Sequence, residues 1–295
     1  MTQVCLITDL HWGARDDSVI FIDYYERFYR DTFFPTLIAH GIKDVIILGD
    51  VFDRRKYINY RTLHEAKRIF FDQLVNHNLN VTILVGNHDT FFKNTNKLNS
   101  LVQNLGDYPF EIIEHPTEIT IGGHQLCMLP WICDDNADAT NQLIESTRAK
   151  IAFGHLEVAG FAMYKGMVSH GGMNRSMFSK FEMVFSGHYH HRSSDGHIFY
   201  LGNPYELTWQ DFDDPRGFHL FDLDTRELEF IENPFKMFHK VFYNDVKGDI
   251  KYIDQIDISA CKDAYVKVIV QNKSEPMWFD LFIERIEKLG VADTQ

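Results

Sequence analysis

Three short apolar runs near the start of the chain, "VCLIT" (4–8), "DVIIL" (44–48) and "VTILV" (81–85), are rich in β-branched residues. Each is too short for a helix, so each reads as a buried strand. Between the second and third, Leu63, Ala66, Phe70 and Leu74 recur at helical spacing, and Thr62 with Glu65 forms a capping box. Residues 18–40 are also helical in character, with a break or kink expected at Pro35. A β-α-β-α-β beginning implies a parallel sheet covered by helices. Farther on, residues 111–132 read as short strands meeting at Gly122-Gly123, followed by a helix over 138–149 and a strand at 150–154. The segments "EMVFSGHYHH" and "IFYLGNPY" add two strands, and residues 217–231 read as a hairpin turning at "DLDTR". Together these predict a layered α/β sandwich. After "ENPFKMFHK" the pattern changes, and "AYVKVIVQNK" with "MWFDLFIERIEKLG" predicts a small strand-helix unit, which divides the chain into 1–237 and 238–295.

Polar clusters fall directly after the apolar runs. The first run ends in Asp9 and His11, the second in Gly49-Asp50 and Asp53, and the third in Gly86-Asn87-His88-Asp89. Later runs end in Gly154-His155 and in Gly187-His188-Tyr189-His190. Ligands of α/β sheets bind at the carboxyl ends of strands, so these groups are expected to converge. The set comprises the carboxylates of Asp9 and Asp50, the amide of Asn87, and the imidazoles of His11, His155, His188 and His190. Mixed nitrogen and oxygen donors without thiolate suit Mn²⁺, Fe²⁺ or Zn²⁺ and not Ca²⁺. Seven ligands exceed what one such ion takes. Two ions sharing a bridging carboxylate use all seven and leave positions for a hydroxide and a phosphate. The remaining scattered histidines, such as His40, His64, His77 and His239, read as structural or surface groups.

Composition narrows the class. With 45% hydrophobic and 14% aromatic residues among 295, the chain is globular and large enough for a substantial core. A formal charge of −13 argues against nonspecific coating of nucleic acid, which needs a basic surface. One local basic strip remains, "RRKYINYR", where Arg54, Arg55, Lys56 and Arg61 mix with Tyr57 and Tyr60. Cys5, Cys127, Cys133 and Cys261 are scattered without C-x-x-C spacing, which favours a reduced, intracellular protein. The N-terminal segment has neither the basic lead nor the apolar stretch of a signal peptide, and no membrane contact is expected.

The series D-x-H, G-D-x-x-D, G-N-H-D, G-H and G-H-x-H over residues 9–190 resembles the calcineurin-type metallophosphoesterase superfamily. Within it, "TDLHWG" and "GDVFDRRKY" resemble the SbcD-type DNA repair nuclease subunits. The stretches "LPWICDDN" and "GNPYELTWQDFDDPRGFHLFD" are similar to the T4-like phage recombination nuclease subunits. The resemblance implies a four-layer αββα sandwich with a small C-terminal capping unit, incomplete relative to the family. It implies that Asp9, His11 and His190 hold one Mn²⁺ and that Asn87, His155 and His188 hold the other, with Asp50 bridging. His88 matches the non-ligand histidine that protonates the leaving oxygen, and Asp53 matches the acid that orients it. An SbcC-type ABC ATPase partner, a homodimer and a cytoplasmic location, in the host if phage-encoded, are further implications.

Rival readings are a phosphoprotein phosphatase and a non-catalytic scaffold on the same fold. Phosphatases carry a compact D-x-H-G and a G-N-H-E. Here Trp12 separates His11 from Gly13, Arg55 stands where those enzymes have glycine, and Asp89 replaces the glutamate. A scaffold is expected to have lost ligands, and none is missing. The basic strip begins directly after Asp53, which favours contact with a DNA backbone over plain solvation. His170 and Arg216 also match the phage relatives, and a packing role is expected for both. The aromatic segment "FIDYYERFYRDTFF" suits either a dimer surface or a buried helix.

Overall fold

The computed structural model describes residues 2–246 and 253–295 and divides into two compact units, Met1–Tyr205 with Asp213–Asn233, and Glu206–Phe212 with Pro234–Gln295. The first unit holds two six-stranded sheets. One is built on β1 (Gln3–Ile7), β2 (Asp44–Ile47), β3 (Asn80–Leu84) and β4 (Glu111–Ile113), all parallel neighbours in that order. The other contains β5 (Thr117–Ile121), β6 (His124–Leu129), β7 (Ile151–His155), β10 (Met183–Gly187), β11 (Ser193–Ser194) and β12 (Ile198–Tyr200), in the order β11-β12-β10-β7-β6-β5. Between β7 and β10 lies a small hairpin of β8 (Ala162–Tyr164) and β9 (Met167–Val168). The hairpin β13 (Gly217–Asp222) and β14 (Leu228–Glu232) completes the first sheet, with β13 antiparallel to β1.

The core shows why the runs lack alternation. Val4, Leu6, Ile46, Leu48 and Leu84 from the first sheet pack against Leu126, Met128, Ile151, Phe153 and Phe185 from the second. The opposite face of the second sheet packs Cys127, Ala152 and Val184 with Ile144 and Phe178. Strands buried on both faces need apolar residues at every position. This gives the expected αββα layering.

Two long helices flank the first sheet. The first, α1, runs through Val19–Phe28, a wide π turn at Tyr29–Phe33 and Phe34–His40. Pro35 enters at the first turn of the last segment, where its missing N–H leaves no interior bond broken, so the expected break is absorbed by the π turn. Phe21, Tyr24, Tyr25, Phe28, Tyr29 and Phe33 are buried. The buried-helix reading of the aromatic segment therefore holds. The second helix, α2, runs through Tyr60–Ala66, Lys67–Phe71 and Asp72–Asn76. Its cap is Asn59, whose side chain accepts from the Arg61 N–H, and not the expected Thr62–Glu65 box. Thr62 already lies inside the first turn, where its hydroxyl donates to Asp17 at 2.6 Å. Shorter helices α3 (Ser100–Leu105) and α4 (Ala137–Ser146) follow.

In the second unit, β15 (Phe238–Asn244), β16 (Tyr265–Asn272) and β17 (Asp293–Thr294) form a parallel sheet, and α5 (Pro276–Lys288) buries Phe282 and Ile286 against Val241, Tyr243 and Val266. Residues 206–212 pack here because Glu206 accepts from the N–H groups of Met237 and Phe238, at 2.7 and 2.9 Å.

Candidate metal centre

The loops after β1 and β2 stay laced together beyond their strands. Asp9 N–H donates to Gly49 O, His11 N–H to Asp50 O and Trp12 N–H to Val51 O. Four of the expected ligands bend into the left-handed region: Asp9 (φ 53°), His11 (φ 44°), Asp50 (φ 51°) and His188 (φ 83°). Non-glycine residues adopt this conformation at a cost, and it clusters at functional sites. The bends aim consecutive side chains at one point. Glycine makes the crowding possible: a Cβ on Gly86 would lie 2.3 Å from Asp50 Oδ1, and one on Gly187 2.1 Å from Thr8 Oγ1.

Two clusters result. Asp9, His11 and His190 form one and Asp50, His155 and His188 the other, the ligand atoms in each lying within 4.8 Å of one another. Asn87 joins the second, its Oδ1 2.9 Å from both His155 Nε2 and His188 Nδ1. Asp50 faces both: its Oδ2 is 3.4 Å from His155 Nε2 and 3.9 Å from His11 Nε2. The other Asp50 oxygen accepts from the His88 N–H at 2.7 Å. Supporting bonds fix the rings. His155 Nδ1 meets the Leu48 carbonyl at 2.7 Å, which leaves Nε2 to face the cluster. Thr8 and the His188 N–H hold the Asp9 carboxylate.

His88 stands apart from both clusters. Its ring lies 5.0 Å from that of His11, and its Nδ1 is 2.6 Å from the main-chain carbonyl of Asp53. That carbonyl, and not the Asp53 carboxylate, orients His88, which corrects the expected pairing. The Asp53 carboxylate instead sits 3.3 Å from His11 Nδ1, behind a ring of the first cluster. His88 therefore carries its proton on Nδ1 when neutral and presents Nε2 outward.

Burial alone disfavours the Asp50 anion, but the His155 charge and hydrogen bond outweigh it and hold Asp50 well below the carboxylate range. Asp9 is raised, by burial first and the Asp50 charge besides. Burial opposes protonation of His11 and His155, yet the surrounding carboxylates push both up to about 9. Burial and the His155 charge drive His188 down to about 3, and burial with the His11 charge drives His190 down as well. Two buried carboxylates thus recruit protons as counter-ions. An oxygen and nitrogen donor set of this kind fits a pair of divalent transition-metal ions, which would supply positive charge in place of those protons.

Residues 2–192 match the calcineurin-like phosphoesterase family. This chain belongs to that family. The phosphoesterase is 35% identical to Exonuclease subunit 1 of Enterobacteria phage T4 over 232 residues, which is 78% of this chain and 66% of that protein. The match thus spans just under two thirds of the relative's length. A solved archaeal phosphodiesterase covers 78% of this chain and 99% of its own, at a TM-score of 0.37 and 9% identity. Family membership makes the protein a metal-dependent hydrolase of phosphoester bonds, on the mixed α/β fold described above.

Beside the phosphoesterase centre, the basic strip is partly committed to internal contacts. Arg54 pairs with Asp17 at 2.5 Å and Asp16 at 2.7 Å, and Arg55 donates to the Thr90 hydroxyl at 2.7 Å and carbonyl at 3.1 Å. Arg61 reaches the Asp17 carbonyl at 2.9 Å. Lys56, Tyr57 and Tyr60 stay exposed, the two tyrosines by 64% and 89%. Arg216 does more than pack: buried, it donates to the His190 carbonyl and Asn203 and pairs with Asp214 at 2.7 Å, so it fixes the backbone of a residue of the first cluster. His170 is exposed and does not pack. Trp131, to which sequence reasoning assigns no role, places its ring 5.2 Å from that of His188. Its place between an apolar run and "ICDDN" was the available signal.

Proposed function

We propose that this phosphoesterase is a Mn²⁺-dependent DNA nuclease, exonucleolytic on double-stranded ends and endonucleolytic on single strands, in an SbcCD-like recombination and repair complex. The observation that carries the reading is Asp50: one buried carboxylate oxygen faces both clusters while His88 stands free beside them. Asp9, His11 and His190 would hold one ion and Asn87, His155 and His188 the other, with Asp50 shared. Bound there, two ions activate water and neutralise charge on the phosphate. His88 Nε2 would donate a proton to the leaving oxygen while Nδ1 keeps its bond to the Asp53 carbonyl. Asp53 would steady His11. DNA as substrate is supported by the similarity to an exonuclease subunit and by Lys56, Arg61 and the half-buried Arg55 alongside the site.

An SbcC-type ATPase partner, cytoplasmic action and a DNA-positioning role for the second unit belong to the same reading. So does a homodimer.

Purified protein with Mn²⁺ and end-labelled DNA tests the reading, alongside Asp50→Ala and His88→Gln. The wild type should cleave and both variants should fail; equal cleavage by all three rejects it. Faster hydrolysis of phosphopeptides than of DNA favours a phosphatase. Absence of bound ions at saturating Mn²⁺ favours a scaffold.

A further inference from the structure

A cavity of about 220 Å³ opens beside the Asp50–His155–His188 cluster, lined by Trp131, Ile132, His155, Glu157, Gly172 and Met173. Its walls are unlike the rest of the centre. Trp131 is clamped through its main chain, donating to the Val85 carbonyl at 2.7 Å and accepting from Asn96 and Asn136 at 2.9 Å each. Its indole lies 5.2 Å from the His188 ring and 6.1 Å from that of His155. The opposite rim is built tightly over Glu157, whose carbonyl accepts from the Met173 N–H at 2.7 Å. Gly172 (φ 98°) makes that possible, because a Cβ there would lie 2.4 Å from the Glu157 carbonyl oxygen. Glu157 is half-buried, and no hydrogen bond or ion pair engages its carboxylate among the described residues.

A carboxylate acceptor and a fixed indole lining one cavity, beside the Asp50–His155–His188 cluster, suit a flat ring carrying hydrogen-bond donors. We propose that this cavity seats the nucleobase of the nucleotide next to the scissile phosphate, stacked on Trp131, with Glu157 accepting from the base's exocyclic amino group. The inference rests on the nuclease reading and adds a specificity to it. Stacking on an aromatic side chain is indifferent to base identity. The carboxylate is not: adenine, cytosine and guanine each offer an amino group, whereas thymine turns a carbonyl toward it. The rigid clamp on Trp131 means that little ordering is left to do on binding.

The test uses the full chain with Mn²⁺ and oligonucleotides in which all linkages but one are blocked as phosphorothioates. The nucleotide at the open linkage carries adenine, thymine or no base. For the wild type, kcat/KM should fall about tenfold from adenine to the abasic substrate, the scale of one stacked base. Trp131→Ala should lower cleavage of the adenine substrate more than that of the abasic substrate, closing most of the gap between them. Glu157→Leu removes both acceptor oxygens at similar size and should erase an adenine-over-thymine preference of about tenfold, the scale of one charged base contact. Equal losses on adenine and abasic substrates, or an unchanged preference in Glu157→Leu, overturn the inference. If Trp131→Ala loses metal through His188, the Glu157→Leu comparison decides alone. Failure of the wild type to cut any DNA overturns the nuclease reading itself, whereas cleavage with a flat base profile overturns only this step.

Discussion

Asp89 ties the loops of the metal centre together, and its removal has a calculable cost. The side chain is fully buried and accepts from three backbone groups: Val51 N–H at 3.0 Å, Phe52 N–H at 3.3 Å and Gly86 N–H at 2.9 Å. Those donors flank Asp50 on one side and Asn87 on the other. Each buried donor left without a partner costs about 1–3 kcal/mol, so Asp89→Ala should cost about 3–9 kcal/mol before water entry reduces it. That is a large part of the about 5–15 kcal/mol that stabilises a typical domain. Asp89→Asn keeps one oxygen for Val51 and Phe52 but turns an amide N–H₂ toward Gly86, so about one donor is lost, at about 1–3 kcal/mol. Asparagine also removes a like charge beside Asp50; burial and that charge push the Asp89 carboxyl up to about 7. Asp89→Glu must fit a further methylene into a closed space, which costs about 1–3 kcal/mol. Urea denaturation of the metal-free proteins at constant m-value measures all three. The expected order of loss is Ala above Asn. An alanine variant within about 1 kcal/mol of wild type, or an asparagine variant worse than alanine, refutes the assignment of Asp89 as a three-way acceptor.

The other expectations concern metal, protons and DNA. His88→Gln should lower DNA cleavage by about 10²–10⁴-fold with Mn²⁺ affinity unchanged, by calorimetry, since His88 is not a ligand. His11 and His155 are raised to about 9, so both carry protons in the metal-free protein at neutral pH and must release them on metal uptake. Titration in buffers of different ionisation enthalpy should show that release, and it should vanish as pH passes 9. Because both histidines are raised above the ordinary imidazole value of 6.5, the stabilisation they give is complete below that pH and lost as pH rises toward 9. Melting temperatures of metal-free protein should fall over that window. Arg216→Ala takes the guanidinium from buried Asp214, which keeps His191 at 2.8 Å, and removes one of the donors to the His190 carbonyl; it should cost up to about 3–5 kcal/mol and weaken metal binding, both read from melts with and without Mn²⁺. Lys56→Ala should reduce the salt slope of DNA binding by about 0.7–0.9, one phosphate contact. Arg54→Ala should change it less, because Asp16 and Asp17 already neutralise that guanidinium.

What the chain declares openly is whatever depends on residue type at a strand end. A buried strand must be apolar on both faces, so Asp9, Asp50, Asn87, His155 and His188 stand out as the first polar groups after each run, and the convergence of strand ends does the rest. What it hides is carried by the backbone. The partner of His88 is the carbonyl of Asp53, and the partner of His155 is the carbonyl of Leu48; carbonyls have no letter in the sequence. The Asp53 carboxylate, which sequence spacing placed behind His88, is aimed at His11 because the loops after β1 and β2 run side by side, pinned from Asp9 to Asp53 by main-chain bonds. Composition likewise marks "RRKYINYR" as basic but cannot show that Asp16 and Asp17 fold back onto Arg54. That return depends on Arg15, Asp16 and Asp17 all taking left-handed φ, between 55° and 59°, which their side chains do not favour. Three strained residues persist there because Arg54, Arg61 and Thr62 hold Asp16 and Asp17 from the neighbouring loop. The strip that reads as one basic surface is therefore two things: an arginine that locks the rim of the candidate centre, and a lysine and two tyrosines that stay exposed.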